Sequence, residues 1–202
     1  MTTNPPAPED NDIVDGMARI GQIEMALFLK KQKTTNGWLC FTKRVGNFDT
    51  DYLLRAMANL LGPGWNRPAD AVYPLSQKDG DANKYDGSRY NYVIHFEKGQ
   101  LPPVDGFWTL TMYDKDLFLA PNQIDRYYLS QSDDFIYNQD ESVDFDLQAE
   151  SPGKDKKANW LPAPRDTFSL CLRGYWPSDT SPSILDGSWQ PPPVLKVSKG
   201  KE

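Results

Sequence analysis

Between residues 89 and 176 hydrophobic and polar positions alternate in short runs. In "RYNYVIHF" Tyr90, Tyr92, Ile94 and Phe96 share one parity, against Arg89, Asn91, Val93 and His95. "FWTLTMYD" sets Trp108, Leu110 and Met112 against Phe107, Thr109, Thr111 and Tyr113. "SVDFDLQ" sets Val143, Phe145 and Leu147 against Asp144, Asp146 and Gln148. The last run, inside "NWLPAPRDTFSLCLRGYWP", sets Phe168, Leu170, Leu172 and Trp176 against Ser169, Cys171, Arg173 and Tyr175. A period of two sends successive side chains to opposite faces, so each run predicts a strand with one buried and one solvated face, as in antiparallel sheets. "LFLA" (117–120), "RYYLS" (126–130) and residues 38–41 are shorter strand candidates. Polar turn clusters such as "DGDANKYDGS", "EKGQLPPVDG", "NQDES" and "SPGKDKK" separate them, and short strands so spaced predict a β-sandwich or jelly roll.

The period is helical only near the N-terminus. Ile13, Met17, Ile20 and Leu27 form one apolar stripe, with Asp12 as a cap and Lys30 and Lys31 at the end, as the helix dipole favours. This stripe is expected to dock on the sandwich. A second helix is predicted in "DTDYLLRAMANLLGPG", capped by Asp49 or Thr50, with Leu53, Met57, Leu60 and Leu61 inward and Gly62-Pro63 as its stop. The expected division is a disordered lead over 1–11, a helical segment over 12–62 packed on the sandwich, and a β-sandwich domain over 63–197. The Pro-rich tail is expected to lie extended and to be anchored by Trp189.

Charge narrows the functions open to such a fold. The chain has 202 residues, with 22 Lys and Arg against 28 Asp and Glu, a net charge of -6. Nucleic-acid binding needs clustered cations facing phosphates, and the one basic cluster, Lys154, Lys156 and Lys157, lies in a polar turn. No apolar run is long enough to span a membrane, and the first residues lack the apolar core of a secretion signal. A cytoplasmic protein is the expectation. The two cysteines, Cys40 and Cys171, match no zinc or CxxC spacing and are expected to be reduced and buried.

The motifs "LPPVDGFWTLTMYD", "RYYLS", "NWLPAP" and "LRGYWP…DGSWQPPPV" occur in this order. Together they resemble the domain of unknown function 1214 (DUF1214), over about Gly37 to Val197. The resemblance implies an antiparallel β-sandwich of jelly-roll type and implies no reaction. Members usually follow a DUF1254 half, which this chain is expected to lack, so a site shared between the two halves would be half missing. "IDRYYL" carries Asp125 where members often have an amide.

Several constellations could carry chemistry. Asp79, Asp81 and Asn83 begin like a calcium loop, but Lys84 and Tyr90 occupy the positions where such a loop needs Gly and Glu, so a polar turn is expected there. His95 is the single histidine and no G-x-S-x-G elbow accompanies it, which favours a solvated or hydrogen-bonded surface role. The acids between Asp114 and Asp146 are numerous enough for a two-carboxylate glycosidase, which needs two of them at a fixed separation in a cleft; turns and a solvated face are the simpler reading.

Arg126, Arg173, Tyr113, Tyr127 and Tyr175 form the leading candidate. Arg presents a planar fork to anions, and Tyr a flat body with a hydroxyl tip. Asp114 is the expected structural partner of such an arginine. Trp108 and Trp176 share the core parity, whereas Trp160, beside Asn159, is expected at a rim. The candidate ligand contacts are therefore Arg173, Tyr175, Tyr113, Arg126, Tyr127, Asp114, Asn159 and Trp160. The leading function is binding of a small polar or anionic molecule or a glycan, with no metal and no cofactor. A cofactor-free hydrolase, lyase or isomerase using carboxylates and tyrosines is the first alternative. A self-assembling or protein-interaction module acting through the tail or the N-terminal helix is the second.

Overall fold

The computed structural model describes residues 10–62 and 64–199, with side chains from residue 15 onward. The expected lead falls largely outside the described residues, as does the side chain of the expected cap Asp12. The chain divides into a helical unit, up to Lys33 together with Phe48–Gly64, and a β unit made of Thr34–Asn47 and everything from Trp65.

In the helical unit, α1 spans Asp10–Lys31 and α2 spans Tyr52–Leu61. Asp51, not Asp49 or Thr50, caps α2 by accepting from the Leu54 amide at 3.0 Å. The cap therefore lies further along, and Leu54, Met57 and Ala58 are the buried residues of α2 while Leu60 is exposed. Gly62 ends the helix, its N–H donating to the Ala58 carbonyl. Met17, Ile20 and Leu27 of the α1 stripe are 67%, 59% and 49% exposed.

Among the described residues the β unit holds ten strands: β1 (Trp38–Leu39), β2 (Ala71–Val72), β3 (Leu75–Ser76), β4 (Tyr90–Phe96), β5 (Trp108–Tyr113), β6 (Tyr128–Ser130), β7 (Val143–Gln148), β8 (Trp160–Pro162), β9 (Ser169–Tyr175) and β10 (Val194–Ser198). They form a six-stranded sheet ordered β1-β3-β9-β5-β6, with β2 also on β9, and a four-stranded sheet ordered β10-β4-β7-β8. Neither sheet closes on itself. The fold is thus mainly β, as the alternation predicts. It is not wholly antiparallel, because β7 and β8 run parallel, joined through a 3-10 helix over Lys154–Asn159. "LFLA" is a turn instead of a strand, with a single bridge from Leu119 to Tyr113.

The inward parities of both sheets meet in one core: Trp108, Leu110, Met112, Leu170 and Leu172 from one, and Tyr92, Ile94, Phe96, Val143, Phe145, Leu147 and Val194 from the other. Aromatic contacts cross between the sheets, with the Trp108 and Phe145 rings 5.9 Å apart. Trp189 is buried, as expected of a tail anchor, and its indole N–H donates to the Gln100 carbonyl. Among the described residues no helix is long and apolar enough to cross a membrane.

Candidate functional site

Strand register decides which polar residues meet. On the outer face of the six-stranded sheet Arg173 lies opposite Thr109, and Thr109 opposite Ser130 on its other side. One row along, Thr111 lies opposite Cys171, and beyond it Tyr113 opposite Ser169. In the other direction the Tyr175 amide bonds the Phe107 carbonyl, and their rings stack at 4.5 Å. Arg173 runs along this face. Its Nη1 donates to Thr111 Oγ1 at 2.8 Å and its Nη2 to Tyr113 Oη at 2.5 Å. The guanidinium carbon also stands 5.7 Å from the Tyr113 ring centre, within cation–π range. Among the described residues no carboxylate comes within ion-pair distance of Arg173. Next to this row opens a hollow of about 530 Å³ lined by Phe107, Ser130, Gln131 and Ser132.

The face thus presents a half-buried cation held by neutral hydroxyls, an aromatic pair and a rim of hydroxyl and amide groups. An arginine is charged at any working pH, and without a carboxylate partner its charge is uncompensated locally. A planar fork beside aromatic rings is suited to anions and to ring-shaped polar molecules. The thiol on the same face is inert: Cys171 is buried and burial pushes its pKa up to about 11. Burial likewise pushes Cys40 up to about 12. Both are free.

The remaining candidates lie elsewhere. Arg126 donates through Nη1 to the carbonyls of Lys157, Ala158 and Trp160 and sits 3.8 Å from Asp133. No described contact joins it to Arg173. Asp114 is not the partner of either arginine; its Oδ1 accepts the amides of Asp116 and Phe118 and closes the turn after β5. Tyr127 is bonded through its hydroxyl to Asp125 at 3.2 Å, and Asp125 has φ of 51°, a left-handed conformation that Asn and Asp tolerate best. Trp160 is 1% exposed and donates to the Gln148 carbonyl, so it belongs to the core and not to a rim. Trp176 is 63% exposed because β9 ends at Tyr175 and Trp176 itself takes φ of 50°. Asn159 is buried and clamps three backbone groups, accepting from the Ile136 N–H and donating to the carbonyls of Ile136 and Asp144.

Phe107, Thr111, Ser130, Gln131 and Ser132 were not singled out by sequence. Alternation does place Phe107 and Thr111 on the parity of Tyr113, but only register reveals that Tyr175 and Arg173 are their neighbours.

On the four-stranded sheet His95 lies opposite Asp144, with Nδ1 2.6 Å from Oδ1. The expected hydrogen-bonded surface role is what the structure shows. Asp146, two residues on, is raised by burial above the usual carboxylate range despite Lys156 at 3.6 Å. Burial also pushes Asp144 up, but hydrogen bonds from His95 and Asn138 outweigh it and hold the group below the usual range. A split of this kind suits acid–base work, yet none of these acids lines the hollow beside Phe107 or the clefts at Pro162 and Phe168. Asp79 closes its own turn by accepting the amides of Asp81 and Asn83. Among the described residues no cluster of His, Cys, Asp and Glu could hold a metal ion.

The sequence pattern described as "Protein of unknown function (DUF1214)" matches residues 70–179. The chain belongs to this family. The matched DUF1214 segment runs from β2 past β9 and so contains the Arg173 row and most of the core between the sheets. The VPA0106 protein from Vibrio parahaemolyticus superposes with a TM-score of 0.63 at 24% identity, over 97% of this chain and 47% of that one. That likeness shows a shared fold, and the chain spans about half the length of that relative. A putative uncharacterized protein from Burkholderia cenocepacia has a TM-score of 0.40 at 15% identity, over 69% of this chain and 32% of that one. No curated protein matches the chain.

Proposed function

We propose that this DUF1214 protein binds a small polar or anionic molecule, or a glycan, on the outer face of its six-stranded sheet. The observation that carries the reading is the state of Arg173: a half-buried guanidinium, oriented by Thr111 and Tyr113, with no carboxylate among the described residues to neutralise it. An arginine kept for architecture alone would be expected to pair with an acid, as Arg126 does with Asp133. Phe107, whose ring stacks on Tyr175, supplies the apolar wall of the neighbouring hollow, and Ser130, Gln131 and Ser132 its rim. Pockets of a few hundred Å³ with few aimed polar groups on apolar walls are what small ligands use.

The test is a thermal-shift screen against sugars, sugar acids, small carboxylates and phosphates. A ligand at about 100 times its dissociation constant adds about 2.7 kcal/mol of stability, a shift readily seen. The expected hit is lost in both Arg173→Ala and Tyr175→Ala. Arg173→Lys should keep the charge but lose the fork, and weaken binding. A panel with no hit, or a hit that survives both alanine variants, removes the site.

A further inference from the structure

We propose that the protein self-associates through α1, which pairs in parallel with the same helix of other copies of the chain. This stands independently of the ligand reading. Ile20, Ile23 and Leu27 are about half exposed or more, at 59%, 59% and 49%. Their spacing of three and then four residues is that of a coiled-coil seam. With Ile20 and Leu27 at a positions and Ile23 at d, Arg19 falls at g and Glu24 at e. In parallel coiled coils a g residue faces the e residue five positions further along the neighbouring helix. Arg19 would thus meet Glu24 of the adjoining copy, and symmetry repeats the pair at every interface. Both side chains are exposed, and neither has an ion-pair partner among the described residues.

This charge complementarity is why the occupant is assigned to like chains and not to an unrelated apolar surface. Gly16 and Lys30 take the flanking d positions, so the seam is short and the assembly weak. Isoleucine at d with leucine at a favours more than two strands. A Cβ added at Gly16 would meet nothing within 4 Å among the described residues, leaving that side of the helix open for close approach.

Sedimentation equilibrium of the full chain, from low to high micromolar, reads the result. The expected outcome is a mass above the monomer that rises with concentration and returns to the monomer in Ile20→Glu/Ile23→Glu. Because that variant could also unwind α1, the charges give a second reading. Arg19→Glu alone and Glu24→Arg alone should each raise the dissociation constant about fivefold, as surface pairs of this kind do, and the double reversal should restore it. A monomer at every concentration overturns the proposal. So does an oligomer indifferent to the Ile20/Ile23 change, or a double reversal that fails to rescue the single ones.

Discussion

Asn159 shows how much one side chain can hold. It is buried, and its amide satisfies both backbone groups of Ile136 and the carbonyl of Asp144. Asn159→Ala would remove three hydrogen bonds to part-buried backbone groups, at about 1 kcal/mol each, so a loss of about 3 kcal/mol in urea unfolding is expected. A loss below about 1 kcal/mol would show that water takes over the clamp. His95 carries a pH-dependent contribution. The hydrogen bond to Asp144 raises its folded pKa above the ordinary 6.5, against the smaller opposing effect of burial. A raised histidine contributes stability that is fully present below its unfolded pKa and fades as pH rises through the folded value. The stability difference between wild type and His95→Gln should therefore be largest near pH 6 and shrink above pH 7. A difference that grows with pH would overturn the sign. The imidazole is over one-third exposed, so solvent screens the pair and the effect is small.

At the scale of elements, contacts distant in sequence hold the parallel strand β8 in place. Arg126 secures the 3-10 helix before it through the carbonyls of Lys157 and Ala158 and the start of β8 through that of Trp160, and Gly87 packs on the loop after it. A Cβ at Gly87 would clash with the Pro164 carbonyl oxygen, a backbone atom that cannot swing away. Gly87→Ala should cost about 2 kcal/mol or more, read as a lowered melting temperature. The long strands β4, β5, β7 and β9 were legible because alternation records which face each turns to the core, although the other face is not wholly solvated as expected: Thr111, Asp146, Ser169 and Cys171 on it are buried too. What escaped the sequence has physical reasons. β2 and β3 are two-residue segments, too short to show a period. β8 follows a lysine-rich 3-10 helix and has all its residues buried, so nothing alternates. Arg126 and Arg173 are the same residue type at strand-like positions. Only tertiary register sends one to backbone carbonyls across the unit and leaves the other on the sheet face beside hydroxyls. Trp160 and Trp176 exchanged their expected places for a similar reason: the backbone turn at Trp176 breaks the parity that had assigned it inward.

At the scale of the molecule, the β unit has one core shared by both sheets, and Phe145 stands at its centre. It is fully buried on the four-stranded sheet and touches Phe96 of its own sheet, Trp108 of the other and Phe135 of the connection between them. Truncating a buried phenylalanine removes its transfer free energy and leaves a cavity that neighbours fill only in part, so Phe145→Ala is expected to cost about 3–5 kcal/mol. The more informative readout is where that loss is felt. If the two sheets form one cooperative unit, hydrogen exchange should quicken together in β5 and β9, which never pair with β7, and in β4, which does. If the sheets were independent layers, faster exchange would stay within β10, β4, β7 and β8. The crossing aromatic contacts favour the first outcome. A cooperative response also bears on the Arg173 face, because β9 and β5 carry it on their outer side while their inner side rests on Trp108, Leu110 and Leu172. A loosened core should then weaken any ligand bound on that face through loss of preorganised geometry, with Arg173 itself untouched.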